Sequence, residues 1–273
     1  MIRLRRSGER HCLHSGGQDL WLTFYPSQAS DPLANGFCSL MTLNEGFLEP
    51  EGNMLTYSRR GSRTITYVIR GTLSERNGSR LPRLIAAGDF QCSSASFSDC
   101  SSYSNASRRE PLHVLQLSLF SNQPRHTPEP QQKSFPAPSR AGRLRLVASA
   151  DGRDGSLILE QDVQLFSGIL SASQVSAYSL AEGRVAWLHV VRGAVSVGDL
   201  RLVAGDGAGF ALLPELTLLA SSDAEVVLLD LNAQTPLANR FWDSARDDRA
   251  AAAGGGLAAR ARPGGPHTDF IHR

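Results

Sequence analysis

Apolar and polar positions along this chain alternate mainly with a period of two, the spacing that gives a β-strand two distinct faces. His113-Val114-Leu115-Gln116-Leu117-Ser118-Leu119 follows this pattern, and Glu225-Val226-Val227-Leu228-Leu229-Asp230-Leu231 is its more apolar counterpart. Thr64 to Ile69 and Ala186 to Val191 are dense in β-branched residues, as strands are. Val195-Ser196-Val197 and Leu200-Arg201-Leu202 flank Gly198-Asp199, which predicts a two-residue hairpin. Leu73 to Arg76 and Ser79 to Ile85 flank Asn77-Gly78 in the same way. No convincing long amphipathic helix interrupts the pattern. Many short strands separated by turn residues predict an all-β sandwich or barrel.

The strands come in two matching sets. Val68-Ile69-Arg70-Gly71-Thr72-Leu73 is followed by Ala87-Gly88-Asp89, and Val190-Val191-Arg192-Gly193-Ala194-Val195 by Ala204-Gly205-Asp206. Two copies of one supersecondary unit predict a duplicated domain. Residues 122–140, rich in proline and polar side chains, separate the copies. The expected organisation is a first domain over 1–122, a linker over 123–142, a second domain over 143–232 and a tail over 233–273. The tail includes the low-complexity stretch Ala250 to Gly256 and is expected to be mostly disordered, with a short helix near 236–253.

Composition narrows the function classes. A net charge of +2 gives no electrostatic reason to expect nucleic acid. No run of about 18 apolar residues exists, so no membrane span is expected. Met1 to Arg6 is charged but precedes no apolar segment, so the chain reads as cytoplasmic. The four cysteines, Cys12, Cys38, Cys92 and Cys100, lack Cys-x-x-Cys spacing, which argues against a zinc knuckle and for reduced thiols. His11, Cys12 and His14 read as surface residues, and His113 and His189 as structural strand histidines.

Several stretches resemble the pirin-like bicupins. They are Arg5-Arg6-Ser7, Asp31-Pro32, Asn44-Glu45, Gln132-Lys133-Ser134-Phe135-Pro136, Arg143 to Ser149, and Asp151-Gly152-Arg153-Asp154-Gly155-Ser156. The similarity covers roughly residues 1–232. It implies two tandem jelly-roll β-barrels packed face to face, and the C-terminal extension falls outside it. It also implies one metal site, in the first barrel, built from a His-x-His pair and a His-x-Glu pair. Such members include nuclear cofactors and bacterial proteins with quercetin 2,3-dioxygenase activity. In this chain those positions fall on Tyr57 and Arg59 and on Ser101 and Tyr103. Phenols and a serine hydroxyl are poor ligands for first-row dications at neutral pH, and a guanidinium repels them. The expectation is a metal site lost and no cofactor.

Alternative chemistry in the first barrel comes from the remaining side chains. Alternation puts Arg59 and Arg63 on one strand face, so that Arg59, Arg63, Tyr57 and Tyr103 form a candidate site for a small anion. Cys92 and Cys100 flank the former metal site and, with Cys12, are candidates for oxidation. The second repeat offers Tyr178, Trp187, Ser196 and Phe210 as pocket residues and no ligand set. Three functions follow: a non-enzymatic module that binds a small anion or responds to redox stress, a quercetin 2,3-dioxygenase-type oxygenase, or a regulator that binds a protein partner. The second needs a redox metal, because dioxygen reacts slowly with closed-shell substrates.

Overall fold

The computed structural model describes residues 1–25, 31–54, 62–77, 81–94, 101–120, 130–159 and 161–234. The expected tail from 235 onward, its short helix, and Gly78 of the Asn77-Gly78 turn lie outside the described residues. The first repeat is a seven-stranded antiparallel sheet and a four-stranded sheet. The larger runs Gln131–Ser134, Asp89–Ser94, Ser62–Arg70, Leu112–Phe120, Leu40–Leu48, Gln18–Leu22, His11–Ser15, and the smaller Asn53–Met54, Ser101–Asn105, Thr72–Asn77, Arg83–Ala86. The second repeat has the same two layers. Its larger sheet runs Ile2–Arg5, Gly207–Ala211, Arg184–Arg192, Ala224–Asn232, Val163–Leu170, Leu144–Ser149, Leu157–Ile158, and its smaller Val175–Ser179, Glu215–Ala220, Ala194–Val197, Leu200–Val203. The duplicated all-β architecture expected from the pattern is present.

The repeat markers have physical roles. Gly71 and Gly193 both take positive φ, 85° and 74°, between a long central strand and the strand of the opposite sheet. At Gly193 a Cβ would lie 2.0 Å from the Asp223 carbonyl oxygen, so only glycine fits. Asp89 and Asp206 close equivalent turns: each carboxylate accepts a backbone N–H three residues earlier, from Ala86 and Val203 at 3.1 Å. The Gly198-Asp199 hairpin forms with Val197 opposite Leu200. The Asp151 to Ser156 block is a loop tied by Ser149, whose hydroxyl donates to Asp151 and meets the Ser156 hydroxyl at 2.8 Å.

Two strands do not stay within the domains expected from the sequence. Ile2–Arg5 pairs with Gly207–Ala211 of the second repeat, and Gln131–Ser134, inside the expected linker, pairs with Asp89–Ser94 of the first. Each repeat thus has the edge of its larger sheet covered by the segment that leads into the other. An open edge would template aggregation, and this reciprocal exchange covers both. Arg6 secures it with an ion pair to the buried Asp206 at 2.8 Å.

Three apolar clusters hold the layers. One fills the second barrel, with Leu188, Phe210, Leu216, Leu218 and Leu228 fully enclosed. Another lies between the two larger sheets and joins Ile65, Tyr67, Phe90, Leu115 and Leu117 to Val147, Leu165, Trp187, Val227 and Leu229. The third, smaller cluster occupies one end of the first barrel: Leu48, Met54, Val68, Leu73, Ile85, Tyr103, Leu112 and Val114. The central strands of each larger sheet are therefore buried on both faces, one in its own barrel and one against the other repeat.

Candidate functional site in the first barrel

The interior of the first barrel is layered. Register places Gly46, Val114 and Val68 side by side, continuous with the apolar end. The next inward-facing layer is Asn44, Gln116, Thr66 and Gln91, across four adjacent strands. The layer beyond it holds Thr42, Ser118, Thr64 and Ser93. Gln116 Nε2 donates to Thr66 Oγ1 at 3.1 Å, and the Thr64 and Ser118 hydroxyls meet at 3.3 Å. From the opposite sheet come Glu75 and Tyr103, themselves a cross-strand pair. Tyr103 Oη donates to Glu75 Oε1 at 2.9 Å, and Gln91 Nε2 bridges the barrel to Glu75 Oε2 at 2.5 Å. Glu75, Gln91 and Tyr103 are all buried.

The second barrel shows how unusual this lining is. Aligned on the two glycines and the two Gly-Asp turns, the polar layer of the first repeat becomes Phe166, Leu228, Leu188 and Ala208. The Glu75–Tyr103 pair becomes Val197–Leu218. One backbone carries an apolar core in one copy and hydrogen-bonding groups in the other. The chemistry of the molecule therefore concentrates in the first barrel.

The structure separates the residues that the sequence groups. Tyr103 points into the first barrel. Arg63 does not: it shares a strand face with Ile65 and Tyr67, sits opposite Ser94 and Leu119, and donates to the Ser94 hydroxyl. The inward face belongs to Thr64 and Thr66, so Arg63 is no partner for Tyr103 in an anion site. With both faces of the sheet buried, periodicity alone does not choose between them. Ser101 starts the strand that carries Tyr103. Tyr57, Arg59 and Cys100 lie outside the described residues. Glu75 does not stand out in the sequence, because Thr72-Leu73-Ser74-Glu75-Arg76-Asn77 reads as a solvated strand.

The described cysteines are poorly placed for thiolate chemistry. Cys92 is enclosed in the cluster between the sheets. Burial raises the Cys12 thiol above its usual value, and nearby Asp19 raises it further, outweighing the opposing charge of Arg10. Burial likewise raises Cys38. A protonated thiol is a weak nucleophile towards peroxide. His14 Nδ1 lies 2.6 Å from Asp19 on the exposed strand pair, and His11 stacks on Tyr25.

A second polar cluster lies between the barrels. Glu45 accepts from Arg10 Nη1 at 2.6 Å and meets His113 Nε2 at 2.7 Å. His189, fully buried, brings Nε2 to 3.9 Å of the same carboxylate, and neither of its ring nitrogens has a hydrogen-bond partner among the described residues. Burial pushes the His189 imidazole down to about 4, against the pull of Glu45. Burial alone would raise Glu45, but His113, His189 and Arg10 hold it at about 2. At the equivalent position of the other repeat, Tyr67 donates to Glu225, which Arg140 reaches at 2.6 Å and Arg192 at 3.2 Å. Trp187, grouped with the second-repeat pocket by sequence, faces this interface against Phe24 and Phe37, whereas Phe210 stays in its barrel.

Comparison with known proteins agrees with this architecture. The family model described as the quercetinase C-terminal cupin domain matches residues 146–231. A protein of Escherichia coli K12 named quercetin 2,3-dioxygenase is 32% identical over 231 residues, covering 85% of this chain and 99% of that protein. The crystal structure of the bacterial pirin YhhW from E. coli, in complex with nickel(II), superposes with a TM-score of 0.77 at 31% identity, covering 85% and 99% of the two chains. YhaK of E. coli follows at a TM-score of 0.64 and 26% identity, covering 81% and 93%. With this identity over nearly the whole of a relative, and with two face-to-face β-barrels built from one repeated unit, the chain belongs to the pirin-like cupin family.

Proposed function

We propose that this protein is a pirin-family bicupin whose first barrel works as a metal-free, non-enzymatic binding module. The observation that carries this reading is the lining of that barrel. Tyr103 stands where the family resemblance puts a carboxylate ligand, and its hydroxyl is committed to Glu75. Tyr57, Arg59 and Ser101 at the other three positions are no better as donors for a redox metal. Among the described residues, no group of three or more His, Cys, Asp or Glu side chains is placed to hold a metal ion. The donor set does not fit the metal that the family resemblance implies.

The small-anion and redox readings have narrower support. A small anion would have to sit beside the Glu75 carboxylate, and Arg63 is turned away from the barrel, so of the two arginines proposed from the sequence that reading is left with Arg59, which lies outside the described residues. A redox role rests on Cys100, because Cys12 and Cys92 lack the exposure or charge environment of a reactive thiolate. The alternative is the quercetin 2,3-dioxygenase activity after which the 32% identical relative is named.

Metal analysis by mass spectrometry separates the metal-free module from the oxygenase. Protein purified, incubated with ferrous iron, nickel, copper or zinc and desalted is expected to retain far less than one metal per chain and to leave the flavonol absorbance of quercetin unchanged. Near-stoichiometric retention of one redox metal with quercetin turnover would establish the oxygenase instead.

A further inference from the structure

We infer that the first barrel contains a recognition site for a small organic cation with N–H donors, a primary ammonium in its simplest form, seated on Glu75 and Gln91. This rests on the reading of that barrel as a metal-free binding compartment. Buried carboxylates elsewhere in the protein are matched by cations: Glu45, Glu225, Asp230 and Asp206 each have an arginine guanidinium within 2.6–2.8 Å. Glu75 is just as buried, but among the described residues its partners are a phenol and an amide. A carboxylate taken out of water is costly unless a positive charge or several donors compensate it. Here the described residues supply two neutral donors and no cation.

Beside it lies a second unmet demand. Gln91 gives its amide N–H to Glu75, and its carbonyl oxygen Oε1 is enclosed with no donor among the described residues. A buried acceptor without a donor is rare, because it forfeits its hydrogen bond to water. Both groups thus call for N–H donors, and one of them calls for positive charge. An ammonium answers both, with three donors to divide among the Glu75 carboxylate, Gln91 Oε1 and the neighbouring Thr66 hydroxyl. The apolar end formed by Val68, Leu73 and Val114 suits the attached methylene groups.

Other ligands match less well. Among the described residues a divalent metal would find one carboxylate and no imidazole or thiolate, with the Tyr103 and Gln91 donors already pointed at that carboxylate. An anion would be repelled by Glu75. The second repeat argues that the polar groups are not needed for folding, since Val197 and Leu218 fill the places of Glu75 and Tyr103 on an equivalent backbone.

The test uses full-length protein treated with chelator, its metal content measured first. Isothermal titration and thermal shift are run with methylammonium and putrescine, with tetramethylammonium, which has no N–H, and with sodium acetate, all at equal ionic strength. Saturable binding of the two amines, absent for tetramethylammonium and acetate and weakened at least tenfold in Glu75→Gln, is expected. Gln91→Met, which removes the enclosed acceptor, is expected to weaken amine binding too and serves if Glu75→Gln does not fold. No saturable amine binding, equal binding by both variants, or equal binding of tetramethylammonium would overturn the inference. Metal retained in the untreated protein would instead count against the metal-free reading on which it rests.

Discussion

His189 is the residue whose environment has the clearest thermodynamic consequence. Its folded value of about 4 lies below the ordinary 6.5, so the folded state resists protonation that the unfolded chain accepts. Stability from this group is therefore complete above about pH 6.5 and declines as pH falls towards 4, by roughly 3 kcal/mol in all. Glu45, held at about 2 against an ordinary 4.5, adds a loss at lower pH, as pH falls from 4.5 towards 2. Urea unfolding of His189→Leu at several pH values is expected to lack the loss between 6.5 and 4 and to keep the lower one. At neutral pH the leucine is expected to fold at least as stably, since both imidazole nitrogens are buried without hydrogen-bond partners among the described residues. Sequence alone identifies His189 as a strand histidine, yet full burial depends on a second sheet closing over it. Glu75 is hidden for the same reason: its strand is locally polar, and only pairing with Tyr103 and contact with Gln91 from the other layer bury it. Tyr103 is legible because it sits at a fixed spacing from the Gly88-Asp89 turn.

At the scale of elements, local signals carry well. The Gly198-Asp199 hairpin, the paired Ala-Gly-Asp turns and the alternating strands all depend on neighbours within a few residues, and they form as the pattern indicates. Strand exchange does not show in the sequence, because Ile2-Arg3-Leu4-Arg5 is compatible with any sheet edge. Its partner is chosen by tertiary contacts: the ladder to Gly207–Ala211, the Met1 ammonium donating to the Ala211 carbonyl at 2.9 Å, and the Arg6–Asp206 ion pair. Deletion of residues 1–6 removes all three and leaves the backbone groups of Gly207–Ala211 unpaired on one side. The truncated protein is expected to melt at lower temperature and to self-associate, as measured by calorimetry and by light scattering across a concentration series.

Across the whole molecule, the cluster between the larger sheets makes the two repeats one folding unit. Trp187 of the second repeat packs on Phe24 and Phe37 of the first, and Tyr67 of the first donates to Glu225 of the second. With edge strands exchanged in both directions, neither barrel can open without disturbing the other. Calorimetry of residues 1–234 is expected to give a single transition with matching calorimetric and van't Hoff enthalpies, whereas two resolved peaks would show that the barrels melt independently. Exchange also has a consequence for how the protein is made. Ile2–Arg5 leaves the ribosome long before its partner strand, because the residue whose carbonyl accepts from the Met1 ammonium, Ala211, lies 210 positions further along the chain. This strand must therefore wait, without its native partner, until the second repeat is almost complete. Contacts of such long range form slowly, and a waiting strand can pair with another nascent chain. Its charges, Arg3, Arg5 and Arg6 among only six residues, discourage such pairing until the intended partner arrives.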